Sequence, residues 1–190
     1  MSEFTIHNHE SAPQASHEAL AALEKNIGFI PNLAGTIAGS PAALQSFVSM
    51  QSSLQGSSLT PVEREVVGLT VSHENSCEYS MAAHSTFAVA HGAATDVVAA
   101  LRAGGELPDA RLEALHVFTN ELLSEHGHVP AAQVDAFLQA GYSDANVLEV
   151  VTQVAYTTLA NLVANLADTP VDEPFEPQAW TAARSSPTAS

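Results

Sequence analysis

Apolar residues fall three and four apart through most of this chain. That is the period of an α-helix rather than the alternation of a strand. Ser16 to Asn26 reads as a short helix with Leu20, Leu23 and Ile27 on one side, and Gly28-Phe29-Ile30-Pro31-Asn32 breaks it. Ser40-Pro41 starts the next helix, with Ser as cap and Pro at the first position, where no amide donor is needed. Leu44, Phe47, Val48 and Leu54 follow, and Gly56 ends it. Thr60-Pro61-Val62-Glu63 has the spacing of a capping box and opens a helix running to about His73. Asn75-Ser76 signals another cap, with a helix from Cys77 through Ala90 to Gly92.

Thr95-Asp96, Pro108-Asp109, Pro130 and Ser143-Asp144 open four more helices, which close at Gly104-Gly105, Gly127, Gly141 and about Ala167. The last is the longest. Its apolar positions Leu148, Val151, Ala155, Leu159, Leu162 and Leu166 keep helical spacing. Pro170, Pro174 and Pro177 then enforce an extended tail carrying Phe175 and Trp180, and residues from Ala182 to Ser190 are expected to be disordered. No segment reads as a strand, so the predicted class is all-α. A polar arm (1–15), a helical domain (16–167) and an extended C-terminal arm (168–190) are the expected parts. Gly56/Pro61 and Gly127/Pro130 punctuate two helix pairs about 70 residues apart, a weak hint of an internal duplication.

Composition narrows the picture. Of 190 residues, 46% are apolar and only 14% are charged, so a sizeable core can form. Five Lys and Arg against 21 Asp and Glu give a net charge of −16. With so few cations, all scattered, neither nucleic acid nor an anionic membrane is a fitting partner. No apolar run looks long enough to span a bilayer, and Met1 to Glu10 lacks the basic start and apolar stretch of a secretory signal. The one cysteine cannot form an internal disulfide. Together these features predict a cytoplasmic protein.

The chemically pointed stretch runs from Glu63 to His84. A cysteine in the first turn of a helix meets unpaired N–H groups and the positive end of the dipole, which favour the reactive thiolate. Cys77, Ser80 and His84 share one helical face, so His84 can take or relay a proton from the thiol or hydroxyl. Glu65 lies on the preceding helix, where a tight turn could bring it beside His84 and orient the ring. Other readings stand beside these. A lone cysteine is more often a small buried hydrophobe. Glu65 alone could be a helix-face charge, and Tyr79 reads as packing at the rim. His73, Cys77, His84 and His91 tempt a metal reading. However, Asn75-Ser76 interrupts the helix, and His91 lies about 10 Å along the axis beyond His84, so no metal and no cofactor is expected. Asn161 and Asn165 read as polar contacts across a subunit interface. Phe175 and Trp180 read as anchors of the tail on the body or on a neighbouring subunit.

The spacing Glu65-x11-Cys77-x-x-Ser80-x3-His84 resembles the AhpD-like alkylhydroperoxidases of the carboxymuconolactone decarboxylase superfamily, whose motif is Glu-x11-Cys-x-x-Cys-x3-His. Gly28-x-Ile30-Pro31-Asn32-Leu33, Ser40-Pro41-Ala42, Leu59-Thr60-x3-Arg64-Glu65, Ala140-Gly141-Tyr142 and Thr169-Pro170-x-Asp172-x2-Phe175 extend the resemblance in order over about residues 16–180. It implies an AhpD-like helical core assembled as a homotrimer or homohexamer. It also implies an antioxidant peroxidase that reduces peroxides with an external thiol reductant. By position, Cys77 matches the family's first, resolving cysteine, and His84 and Glu65 match its proton relay.

Ser80 stands where the family has its second, peroxide-attacking cysteine. A hydroxyl can neither become a sulfenic acid nor close a disulfide. Three readings follow: a replacement that silences the thiol, a one-cysteine site served by an outside thiol, or loss of the redox role. The leading expectation is a thiol-dependent oxidoreductase with Cys77, Ser80, His84 and Glu65 at its site. The alternatives are a non-redox decarboxylase-like enzyme using His84 and Glu65 as acid and base on a small organic acid, and a non-catalytic helical binding protein.

Overall fold

The structure, a computed structural model, describes residues 4–182. Its α-helices are α1 (His17–Ile27), α2 (Asn32–Ile37), α3 (Pro41–Gln55), α4 (Pro61–Glu74), α5 (Glu78–Ala90), α6 (Thr95–Ala103), α7 (Ala110–Ser124), α8 (Ala131–Gln139) and α9 (Asp144–Leu166). No strand occurs among the described residues, and the fold is all-α.

The starts follow from local chemistry. Thr60 and Glu63 close a reciprocal capping box at α4: the Thr60 hydroxyl accepts from the Glu63 amide, and the Glu63 carboxylate accepts from the Thr60 amide at 2.8 Å. Ser143 and Asn146 do the same at α9, and the Asp109 carboxylate accepts from the Leu112 amide at 2.9 Å to start α7. Gly28, at φ +95°, closes α1 in the left-handed region. The stretch read from sequence as a plain break also holds α2. It is short, nearly all buried, and begun by an extended Pro31.

Helix α4 is the centre of the bundle. Val66, Val67, Leu69 and Val71 are almost completely buried, and α5, α7 and α9 pack around them. On one side lie α6, α7 and α8, where the rings of Phe118, Phe137 and Tyr142 stack at 4.5 and 4.3 Å. Arg111 covers the Tyr142 ring at 3.9 Å and donates to the buried Glu63 carboxylate at 3.0 Å, tying α7 to the start of α4. On the other side, α1, α2, α3 and the C-terminal segment enclose the start of α5.

Several expectations change here. Helix α9 is long and apolar enough, by length and composition, to cross a bilayer, contrary to the sequence reading. Its apolar stripe faces mostly outward. Val150, Gln153, Thr157, Ala160, Asn161 and Ala164 turn inward, while Leu148, Val151, Leu162 and Leu166 are exposed, Leu166 by 72%. Asn161 is fully buried and donates to the Val71 carbonyl at 3.3 Å, and Asn165 donates to the Asn75 carbonyl at 2.9 Å. Both asparagines therefore hold α9 to α4 within one chain.

Neither arm hangs free in the described residues. His7 donates its amide to the Gly35 carbonyl. The C-terminal segment includes a 3₁₀ turn at Glu173–Gln178 and lies along α5. Asp172 accepts from the Tyr79 hydroxyl at 2.6 Å and from the Asn32 amide at 3.0 Å. Arg102 donates to the carbonyls of Gln178 and Ala179, and the Trp180 indole donates to the Arg102 carbonyl. Phe175 and Trp180 thus anchor on the chain's own body. Ala182, expected to be disordered, is buried; the rest of that expected disordered stretch lies outside the described residues.

Burial pushes the Glu63 carboxyl up, but hydrogen bonds from Thr60 and Arg111 outweigh it and hold the group below its ordinary value. A lowered carboxyl contributes stability that is full above its unfolded value and is lost as the pH falls through the folded one. Acid titration of stability should therefore show a loss below about pH 4.5 that is smaller in Glu63→Gln, checked by urea midpoints at neutral and acid pH.

Candidate functional site

The site is set by a glycine. Gly68 faces His84 across the α4–α5 contact, and a Cβ there would stand 2.7 Å from the imidazole. With hydrogen in that place, the ring lies flat against α4. Glu65, one turn earlier on α4, then accepts from or pairs with His84 Nδ1 through Oε2 at 2.7 Å. Both side chains are nearly buried, 13% and 11% exposed. The second carboxylate oxygen, Oε1, lies 3.5 Å from Nδ1 of His91.

His84 and Ser80 line a small, mostly apolar cavity of about 70 Å³. Phe47, Phe87, Tyr156 and Phe175 form much of its wall. Phe47 stacks on Tyr156 at 4.8 Å, and Phe175 meets Phe87 edge-on at 5.4 Å. Burial keeps the Tyr156 phenol protonated far above its ordinary range, with the Glu65 charge adding to the effect. The phenol can therefore donate a hydrogen bond. On the other side of His84, a wider groove of about 420 Å³ is lined by Glu65, His91, Arg64 and Gln153. His84, Gln51, Phe87 and Tyr156 border both spaces.

Cys77 is elsewhere. It is the N-cap of α5, as its position suggests, but it is fully buried and is not part of the cavity wall. Burial pushes its thiol up; the Ser80 hydroxyl and the Ser80 and Tyr79 amides favour the thiolate and only partly offset this. Burial thus opposes the thiolate that the helix start favours. Of the four sequence-predicted residues, Glu65, His84 and Ser80 converge on connected spaces, and Cys77 sits behind them. Tyr79, read as a rim residue, has its hydroxyl committed to Asp172. Among the described residues, no group of three or more His, Cys, Asp or Glu is placed to hold a metal ion.

Sequence reasoning passed over Gly68, Gln51, Phe47 and Tyr156. Gly68 alone carried a signal, because a glycine inside a helix costs about 1 kcal/mol and calls for a packing reason.

Residues 41–120 match the model of the Carboxymuconolactone decarboxylase family. That match covers the stretch from the start of α3 into α7, which holds Glu65, Cys77, Ser80 and His84. No curated protein matches it in sequence. Among solved structures it is similar to an uncharacterized peroxidase-related protein with an alkylhydroperoxidase AhpD core from Ralstonia eutropha JMP134. That similarity has a TM-score of 0.80 and 21% identity, over 92% of this chain and 94% of the other. An uncharacterized peroxidase-related protein from Silicibacter sp. TM1040 gives a TM-score of 0.77 and 18% identity, over 92% of each chain. The debrominase Bmp8, as a cysteine-to-alanine variant in complex with 2,3,4-tribromopyrrole, gives 0.74 and 17%, over 94% of this chain and 96% of that one. At these identities the likeness is one of fold.

Two outcomes test the geometry. Gly68→Ala should drive the His84 ring off α4 and lower stability by roughly 1–3 kcal/mol, read by denaturant unfolding. Cys77 in the native chain should react with a disulfide reagent at least about 100-fold slower than in the unfolded chain, read by absorbance; equal rates would contradict its burial.

Proposed function

We propose that this chain is an enzyme in which His84 and Glu65 move protons on a small, largely apolar organic substrate. The observation that carries this reading is the 2.7 Å imidazole–carboxylate pair bordering a cavity in which oxygen, not sulfur, occupies position 80. A buried carboxylate fixes the imidazole's orientation and tautomer, leaving Nε2 to take a proton from a carbon or heteroatom and return it. The Ser80 hydroxyl and the Tyr156 phenol are donors for charge that develops on the substrate. Aromatic walls favour a flat or unsaturated molecule. The debrominase neighbour holds a flat aromatic molecule, a brominated pyrrole. Lactone and keto acids that lose a proton or carbon dioxide next to a carbonyl fit the same chemistry.

A second reading is peroxide reduction at Cys77. The thiol's place at the α5 N-terminus, with the Ser80 and Tyr79 amides beside it, supports this reading. The thiol would take one oxygen from the peroxide to give a sulfenic acid and an alcohol. Two equivalents of an external thiol would then return the cysteine with release of water. This route also requires the α5 start to open, because Cys77 has no access in the closed structure.

The two are separated by assaying unsaturated lactone acids and, separately, cumene hydroperoxide with dithiothreitol. The acid–base reading expects lactone turnover that survives Cys77→Ala and falls about 10²–10⁴-fold in His84→Gln. Hydroperoxide turnover abolished by Cys77→Ala, with no lactone activity, overturns it.

The assembly we propose is a homo-oligomer joined through the exposed stripe of α9. Leu148, Val151, Leu162 and Leu166 lie on one face of α9 that carries no charge between Leu148 and Leu166, in a chain whose net charge is −16. Two such chains approach with least repulsion through this face. Light scattering should give a multiple of 19.8 kDa for the native chain and a lower mass for Leu162→Glu/Leu166→Glu. A native monomer would remove the proposal.

A further inference from the structure

We propose that His91 is the outlet of a proton path that starts at His84 and crosses Glu65. Its purpose rests on the acid–base reading above; its geometry does not. Glu65 offers one oxygen to each imidazole: Oε2 lies 2.7 Å from His84 Nδ1, and Oε1 lies 3.5 Å from His91 Nδ1. The first contact is a short hydrogen bond. The second closes with a small side-chain rotation or through one water. His91, which caps the C-terminal end of α5, stands two turns beyond His84 on the same side, so a single carboxylate from α4 can reach both rings.

Exposure rises at the outer end. The His84 and Glu65 side chains are 13% and 11% exposed, whereas that of His91 is 38% exposed. His84 borders both the inner cavity and the outer groove, while Glu65 and His91 border only the groove. The three groups therefore pass through the wall between an apolar chamber and solvent. The path carries a proton taken up at His84 outward through side chains to the most exposed of the three groups. Arg64 lines the same groove, but it is bound to the Leu59 carbonyl and cannot give up a proton at ordinary pH, so it does not replace His91.

In the outward direction, substrate protonates His84 Nε2 and the Nδ1 proton passes to Glu65 Oε2. The carboxyl turns and gives that proton to His91 Nδ1, whose Nε2–H is released to water. Only N–H and O–H bonds break and form, and one proton moves from cavity to solvent. The inward run reverses each step.

The test is the solvent exchange rate of the His84 Nδ1 proton, followed by proton NMR as a downfield resonance in saturation-transfer experiments. In His91→Gln this exchange should slow roughly tenfold or more at neutral pH, and added imidazole should restore it. Glu65→Gln should abolish the resonance and so assign it. His91 is half exposed and Gln keeps its bulk, so unchanged thermal unfolding is expected and confirms that the fold persists. Exchange as fast in His91→Gln as in the native chain, or too fast to detect in both, overturns the proposal. Slowed exchange without rescue by imidazole also overturns it, because a purely structural role would give that pattern. No turnover is needed for any of these readings. A failed lactone assay beside a positive exchange result sinks only the acid–base function, and the converse sinks only the outlet.

Discussion

A missing side chain governs the site. At Gly68 the α4 backbone comes close enough for the His84 ring to lie against it, and only from there can Nδ1 meet Glu65 at 2.7 Å. A helix-interior glycine costs about 1 kcal/mol. Everything downstream inherits this placement: the position of Ser80 one turn before His84, the partition between inner cavity and outer groove, and the reach of the second Glu65 oxygen to His91.

The sequence disclosed the helices far better than it disclosed what they face. Caps are local, so Ser40, Thr60, Asp109 and Ser143 announce themselves within four residues, and the structure keeps all four. Helix α2 was not legible, because its six residues hold no period and its formation depends on Asp172 and Tyr79, far along the chain. The α9 stripe was legible as a stripe but not as an outside. Spacing tells which residues share a face, and only the neighbouring helices decide which face is covered. Here the covered one carries Gln153, Thr157 and Asn161, whose polar groups are satisfied largely by other groups inside the bundle.

The site divides in the same way. Glu65, His84 and Ser80 could be read from spacing and resemblance because they lie on one helical hairpin. Cys77 was legible as a helix start but not as a buried group. Its burial comes from packing by α1, α2, the end of α9 and the C-terminal segment, none of which a local motif reports. The aromatic wall was invisible for the same reason. Phe47, Phe87, Tyr156 and Phe175 come from four separate stretches of the chain. The chemistry of the site therefore follows from two levels: a hairpin motif that supplies proton-moving groups, and a tertiary enclosure that leaves an oxygen rather than a sulfur facing the cavity.

The C-terminal segment adds a temporal consequence. Phe175 is part of the chamber wall, and Asp172 ties Tyr79 to the α2 start. During synthesis the nine helices leave the ribosome before either residue does. The bundle can thus collapse around its central helix while the chamber still gapes on one side, and the enclosure is completed only after this later stretch of polypeptide has emerged. Nascent chains, though already folded in outline, pass through an interval in which this pocket is open to water and its ligand selectivity does not yet exist.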